Sequence, residues 1–65
     1  MTIKTFCKLY AYHWQKINVW KKDKDGDYDL VFDGDVLSLS KSSLINKRIK
    51  AFDFDADMKL ITINI

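Results

Sequence analysis

The stretch "KKDKDGDYDLVFDGD", residues 21 to 35, sets Asp23, Asp25 and Asp27 at alternate positions. This acidic spacing opens the calcium loop of helix-loop-helix proteins. With Asp23 at the first loop position, Asp25 and Asp27 supply further carboxylates and Leu30 supplies the apolar residue of the second half. The sharp turn, however, requires Gly where Tyr28 stands, and the closing bidentate carboxylate falls on Gly34. Both flanks also read as strands where that loop needs helices. The expectation is a turn between strands, with Asp23, Asp25 and Asp27 left as weak candidates for a cation and no cofactor implied.

Cys7 and His13 are the only thiol and imidazole, a nucleophile and a base by type. If the chain between them is extended, six residues hold them about 20 Å apart, far beyond hydrogen-bond reach. Cys7 then reads as a small buried hydrophobe and His13 as an exposed residue near a bend. "SLSK", residues 38 to 41, fits a Ser-x-x-Lys pattern, but four Ser and ten Lys in 65 residues make such a match unremarkable. Asp53 and Asp55 stand one strand period apart and read as a solvated edge. Two glycines cannot build a phosphate loop, and no Cys/His cluster offers zinc ligands. No set of nucleophile, base and oxyanion donor can be assembled, so an enzyme is not expected.

A binding surface is the alternative, and its material lies near the amino end. From Ile3 to Trp14 the residues alternate, with Ile3, Thr5, Cys7, Leu9 and Ala11 on one side and Lys4, Phe6, Lys8, Tyr10, Tyr12 and Trp14 on the other. Read as one long strand, the Leu9 side supplies a core, which leaves four aromatic rings in surplus. At roughly 150 to 250 Å² each, they exceed what a lone protein usually leaves bare in one patch. Three covers are conceivable: the protein itself, with Trp20 and Phe32 or Phe54 closing over the rings; a protein partner or second copy; or single-stranded nucleic acid. The last would stack its bases on Tyr10, Tyr12 and Trp14 between Lys4, Lys8 and Lys16.

The elements that must position these residues are mostly strands. After a bend at "HWQK", "KINVWKK" alternates Ile17 and Val19 with Asn18 and Trp20, and "DYDLVF" alternates Tyr28, Leu30 and Phe32 with Asp29, Val31 and Asp33. "DGD", residues 33 to 35, reads as a hairpin turn on Gly34, followed by a strand "VLSLS". One short helix is expected near residues 41 to 47, capped by Ser40 and closed by Lys47 and Arg48. "RIKAFDFD" and "KLITINI" finish the chain as strands, the last with Ile61, Ile63 and Ile65 on one face. The fold class is mainly β: a small antiparallel β-roll or barrel of five to six strands with that one helix, in a single domain over residues 1–65.

Composition narrows the function classes. Apolar residues make up 48% of the 65 and charged ones 31%, a globular balance rather than a disordered one. A single Cys fits a reducing compartment, and no continuous apolar run marks a leader or membrane span, so a cytoplasmic location is expected. Net charge is only +2 but comes in blocks: five Lys and no acid in residues 1–22, then six Asp in residues 23–35. Nine Asp would repel phosphate unless segregated from the rings, which ranks nucleic acid second. The first expectation is a non-enzymatic protein-interaction module or inhibitor. It would bind a protein partner or itself through Phe6, Tyr10, Tyr12, Trp14 and Trp20 or through an exposed strand edge.

Overall fold

The computed structural model describes residues 1–10 and 12–65. In chain order the elements are α1 (Ile3–Leu9), β1 (Lys16–Lys22), β2 (Tyr28–Asp35), α2 (Val36–Ser40), β3 (Ala51–Asp55) and β4 (Leu60–Asn64). The four strands form one open mixed sheet in the order β2-β1-β4-β3. β1 pairs antiparallel with β2, β4 antiparallel with β3, and the two central strands β1 and β4 run parallel. The chain is mainly β, as the alternation of its residues predicts. It is an open sheet of four strands, however, rather than an antiparallel roll or barrel of five to six.

Alternation decides which side of the sheet is buried. Ile17 and Val19 of β1 lie beside Ile61 and Ile63 of β4, and all four are buried on one face. Ile65 is buried as well, so the isoleucine face read from the carboxyl end is observed. Both helices cover this face, α1 through Ile3, Phe6 and Cys7, α2 through Val36 and Leu39. The molecule spans 35 × 28 × 17 Å, and the short dimension accommodates one helical layer on one sheet. The other face, with Asn18, Trp20, Thr62 and Asn64, carries no covering element among the described residues.

Two expected strands are helices. Residues Ile3–Leu9 form α1 because Ile3, Phe6 and Cys7 recur at helical spacing and Thr2 caps the first turn, its Oγ1 accepting from the Thr5 N–H at 3.2 Å. The next orphan donors also find partners: Ile3 N–H donates to the Lys47 carbonyl and Lys4 N–H to that of Ile45, at 3.0 and 2.8 Å. Residues Val36–Ser40 form α2 by the same device. Asp35 caps it, accepting from the Ser38 N–H at 2.8 Å, while Val36 and Leu37 donate to the carbonyls of Gln15 and His13. The Ser38 bonds hold the Asp35 carboxyl below its usual range, so this cap is intact at neutral pH and weakens only as acid protonates Asp35.

The helix expected near residues 41–47 is absent; Ser42 and Ser43 sit among turns, where the Ser42 hydroxyl donates to the Leu39 carbonyl and accepts from the Leu44 N–H. Local bonds of this kind compete with a helical ladder, and the carbonyls of Ile45 and Lys47 serve α1 instead. Gly34 is not in a turn either. It lies within β2 opposite Ile17, and an added Cβ would meet the Phe32 ring at 3.1 Å, so the glycine lets that ring fold flat over the strand. The turn glycine is Gly26, whose φ of 88° suits the loop between β1 and β2.

That loop is the acidic stretch, and it is a turn between strands as read from sequence. Asp23 Oδ1 accepts from the N–H groups of both Asp25 and Asp27, each at 2.9 Å. The carboxylate that would start a calcium loop thus shapes a hairpin. Among the described residues no three His, Cys, Asp or Glu side chains converge as a metal-ligand set.

Candidate functional site

Helical winding redistributes the residues of the expected first strand. Phe6 is buried in the core, Tyr10 is half-buried, and Tyr12 and Trp14 are exposed at 56% and 74%. Leu9, expected in the core, is exposed, and Ala11 lies outside the described residues. The rings nevertheless form one row. Tyr10 stacks on Phe6 at a centroid distance of 5.7 Å, Tyr12 meets Tyr10 edge-on at 6.1 Å, and Trp14 meets Tyr12 at 5.5 Å. At its inner end Phe6 touches Phe52 of β3 at 5.9 Å. Offset and edge-on pairs at these distances are the favourable aromatic geometries.

The exposed end of the row is held by backbone. Gln15 N–H donates to the Tyr12 carbonyl, closing a turn over residues 12–15, and the carbonyls of His13 and Gln15 accept from the first two N–H groups of α2. The Gln15 side chain donates to the carbonyls of Lys16 and Lys59, at 2.9 and 2.6 Å. Tyr12 and Trp14 therefore stand on a tethered turn rather than on a loose loop. Rings presented this way lose little freedom when something binds them.

At the inner end an apolar groove of about 200 Å³ is lined by Phe6, Tyr10, Phe52, Phe54 and Ile61. It exists because β3 overhangs. Phe52 and Phe54 pair with Ile63 and Ile61, which places them on the helix-covered face, yet they remain 60% and 51% exposed despite the contact of Phe52 with Phe6 of α1. Neither phenylalanine is among the expected binding residues, although Phe54 is one of the rings expected to close over the row and does line this groove with Phe6 and Tyr10; the alternation of both with Asp53 and Asp55 is the signal in sequence.

Trp20 does not join the row. It lies on the uncovered face, half-buried between Leu30 and Asn64, with its indole N–H donating to Asn18 Oδ1 at 3.2 Å. The lysines are also redistributed. Lys4 and Lys8 line a separate pocket with Cys7, His13, Ser40 and Ile45, whereas Lys16 and Lys59 share a groove with Trp14. The interleaving of Lys4 and Lys8 with rings was a property of the strand reading, and the helix sends them to a different side.

The same winding corrects the separation of Cys7 and His13, which line one pocket instead of lying some 20 Å apart along a strand. Even so, the Cys7 thiol is buried, directed at the Val36 carbonyl at 3.9 Å, and burial pushes it above the usual thiol range. A protonated, buried thiol is a poor nucleophile. Cys7 should therefore react slowly with a thiol reagent in native protein and rapidly in denaturant, and Cys7→Ser should destabilise by about 1 kcal/mol or more. Modification of folded protein at the rate of a free thiol would show an exposed, reactive site instead.

Among the described residues, no helix is long and apolar enough to cross a membrane. Comparison with protein families, with curated proteins and with solved structures finds no match.

Proposed function

We propose that the protein is a non-enzymatic interaction module that engages a protein partner or a second copy through its aromatic row and the adjoining edge of β3. One observation carries this reading: Tyr12 and Trp14 are largely exposed while their backbone is tethered to α2. A monomer rarely leaves adjoining large rings such as Tyr12 and Trp14 bare, and tyrosine and tryptophan are enriched in binding hot spots. Phe6 anchors the row in the core, so force applied to Trp14 is passed to packed structure through three ring contacts.

A second reading keeps one supporting observation. Lys16 and Lys59 line a groove with Trp14, a pairing of cation and stackable ring that suits single-stranded nucleic acid. One experiment separates the two. Tyr12→Ala and Trp14→Ala should each reduce partner capture or self-association by tenfold or more, about 1.4 kcal/mol, while thermal melting hardly moves because both rings are surface groups. Capture that survives nuclease supports the protein partner, and salt-sensitive retention on single-stranded DNA supports the alternative. Unchanged capture and unchanged solution mass in both variants would remove the row from any binding role.

A further inference from the structure

We infer that the outer edge of β3 takes an extended peptide segment in which basic residues alternate with apolar ones, adding a fifth strand to the sheet. This rests on the interaction-module reading and names the chemistry of its partner. The hydrogen-bond pattern identifies the free edge. Ile65 N–H donates to the Trp20 carbonyl, so odd residues of β4 face β1 and even ones face β3. Asp53, opposite Thr62, and Asp55, opposite Leu60, are then bonded to β4, and the N–H and C=O groups of Phe52 and Phe54 point outward. The Phe54 N–H is already met by its neighbour's carboxylate, Asp53 Oδ1, at 2.9 Å, a place that an incoming carbonyl would take.

The two faces of this edge have different chemistry. On one side an added strand would lay its side chains against Phe52 and Phe54 over the apolar groove. At about 200 Å³ that groove is smaller than the roughly 300 Å³ at which small-molecule sites begin, and it suits one large apolar side chain. On the other side the strand would meet Asp53 and Asp55, with Asp57 beyond them and no base from Ala51 to Met58. Asp53 would face its guest residue in a non-hydrogen-bonded pair, where side chains approach most closely, so a Lys or Arg there is favoured.

A second copy fits this edge less well. Two β3 strands paired about a two-fold axis at Asp53 would set the two Asp53 carboxylates directly opposite each other. β2, the other edge, is less suitable. Its register slips between Val19 and Trp20, leaving Val31 as an extra residue, and such bulges blunt an edge.

The test uses the full chain and a short capped peptide alternating Lys with Val, with two controls: Glu in place of Lys, and N-methylation of alternate residues. The Lys peptide should bind saturably and move the amide signals of residues 51–55. The Glu peptide should bind on the order of tenfold more weakly, and the N-methylated peptide should lose binding. Asp53→Lys should reverse the charge preference at its guest position; Asp53 is exposed, and Asp55 is left in place because its carboxylate accepts from the N–H groups of Asp57 and Met58 in the turn after β3. Equal binding of Lys and Glu peptides, signals confined to Tyr12 and Trp14, or self-association without peptide binding would each overturn the inference. If Trp14→Ala still abolishes partner capture while no peptide occupies β3, the inference alone falls. If the Lys peptide binds β3 but capture ignores Tyr12 and Trp14, the row loses its role and the edge keeps its own.

Discussion

Ile63→Ala should remove much of the protein's stability and lower its urea midpoint sharply. Ile63 is fully buried in β4, with Val19 of β1 on one side and Phe52 of β3 on the other, so its side chain is shared by three strands. Truncating such a residue removes transfer energy and leaves a cavity, at a cost of about 2 to 5 kcal/mol. A domain of this length has only about 3 to 10 kcal/mol to lose. Ile63→Val, a single methylene smaller, should cost about 1 kcal/mol. Urea denaturation followed by circular dichroism reads both, and a midpoint for Ile63→Ala equal to that of the parent would disprove the β1-β4-β3 register.

Phe6→Ala should be comparably severe, at about 3 to 5 kcal/mol, because its ring joins the core to the surface row. Its conservative relative is more informative. Phe6→Leu keeps an apolar side chain in the core but removes the stack on Tyr10 and the contact with Phe52, which are worth about 0.5 to 1.5 kcal/mol per ring pair. The expected result is a folded protein with altered near-ultraviolet circular dichroism and weaker partner capture. If Phe6→Leu melted like the parent and captured partner equally well, the row would not act as a unit and Tyr12 and Trp14 would bind independently of it.

The strands legible in sequence are those whose alternation had a single interpretation. "KINVWKK" and "LITINI" place β-branched residues on one side and polar ones on the other, and both were found as read. Ile3 to Trp14 admitted two interpretations. Its rings fit a period of two, but Ile3, Phe6, Cys7 and Tyr10 also fit a helical stripe, and the Thr2 cap and the carbonyls of Ile45 and Lys47 decide for the helix. Those carbonyls are distant in sequence, which is why local pattern could not weigh them. "VLSLS" failed for a related reason. Beside Gly34, Asp35 reads as a turn residue, whereas its carboxylate starts a helix. Of the candidate site, Tyr10, Tyr12 and Trp14 were visible as surplus rings, but their continuation through Phe6 to Phe52 depends on a meeting of α1 with β3 that no spacing encodes.

The parallel pairing of β1 with β4 bears on how the chain reaches this structure. Each hairpin, β1 with β2 and β3 with β4, closes a short loop and can form within microseconds. The sheet is continuous only when Lys16 finds Leu60 and Trp20 finds Asn64, which means closing a loop of about two thirds of the chain. That closure carries the entropic cost of the search before the isoleucines reward it. The parallel pairing thus raises the mean sequence separation of contacts, the property that slows folding among small domains. Until the two hairpins meet, the inner edges of β1 and β4 are as open to a wrong strand as the outer edge of β3 is in the finished protein.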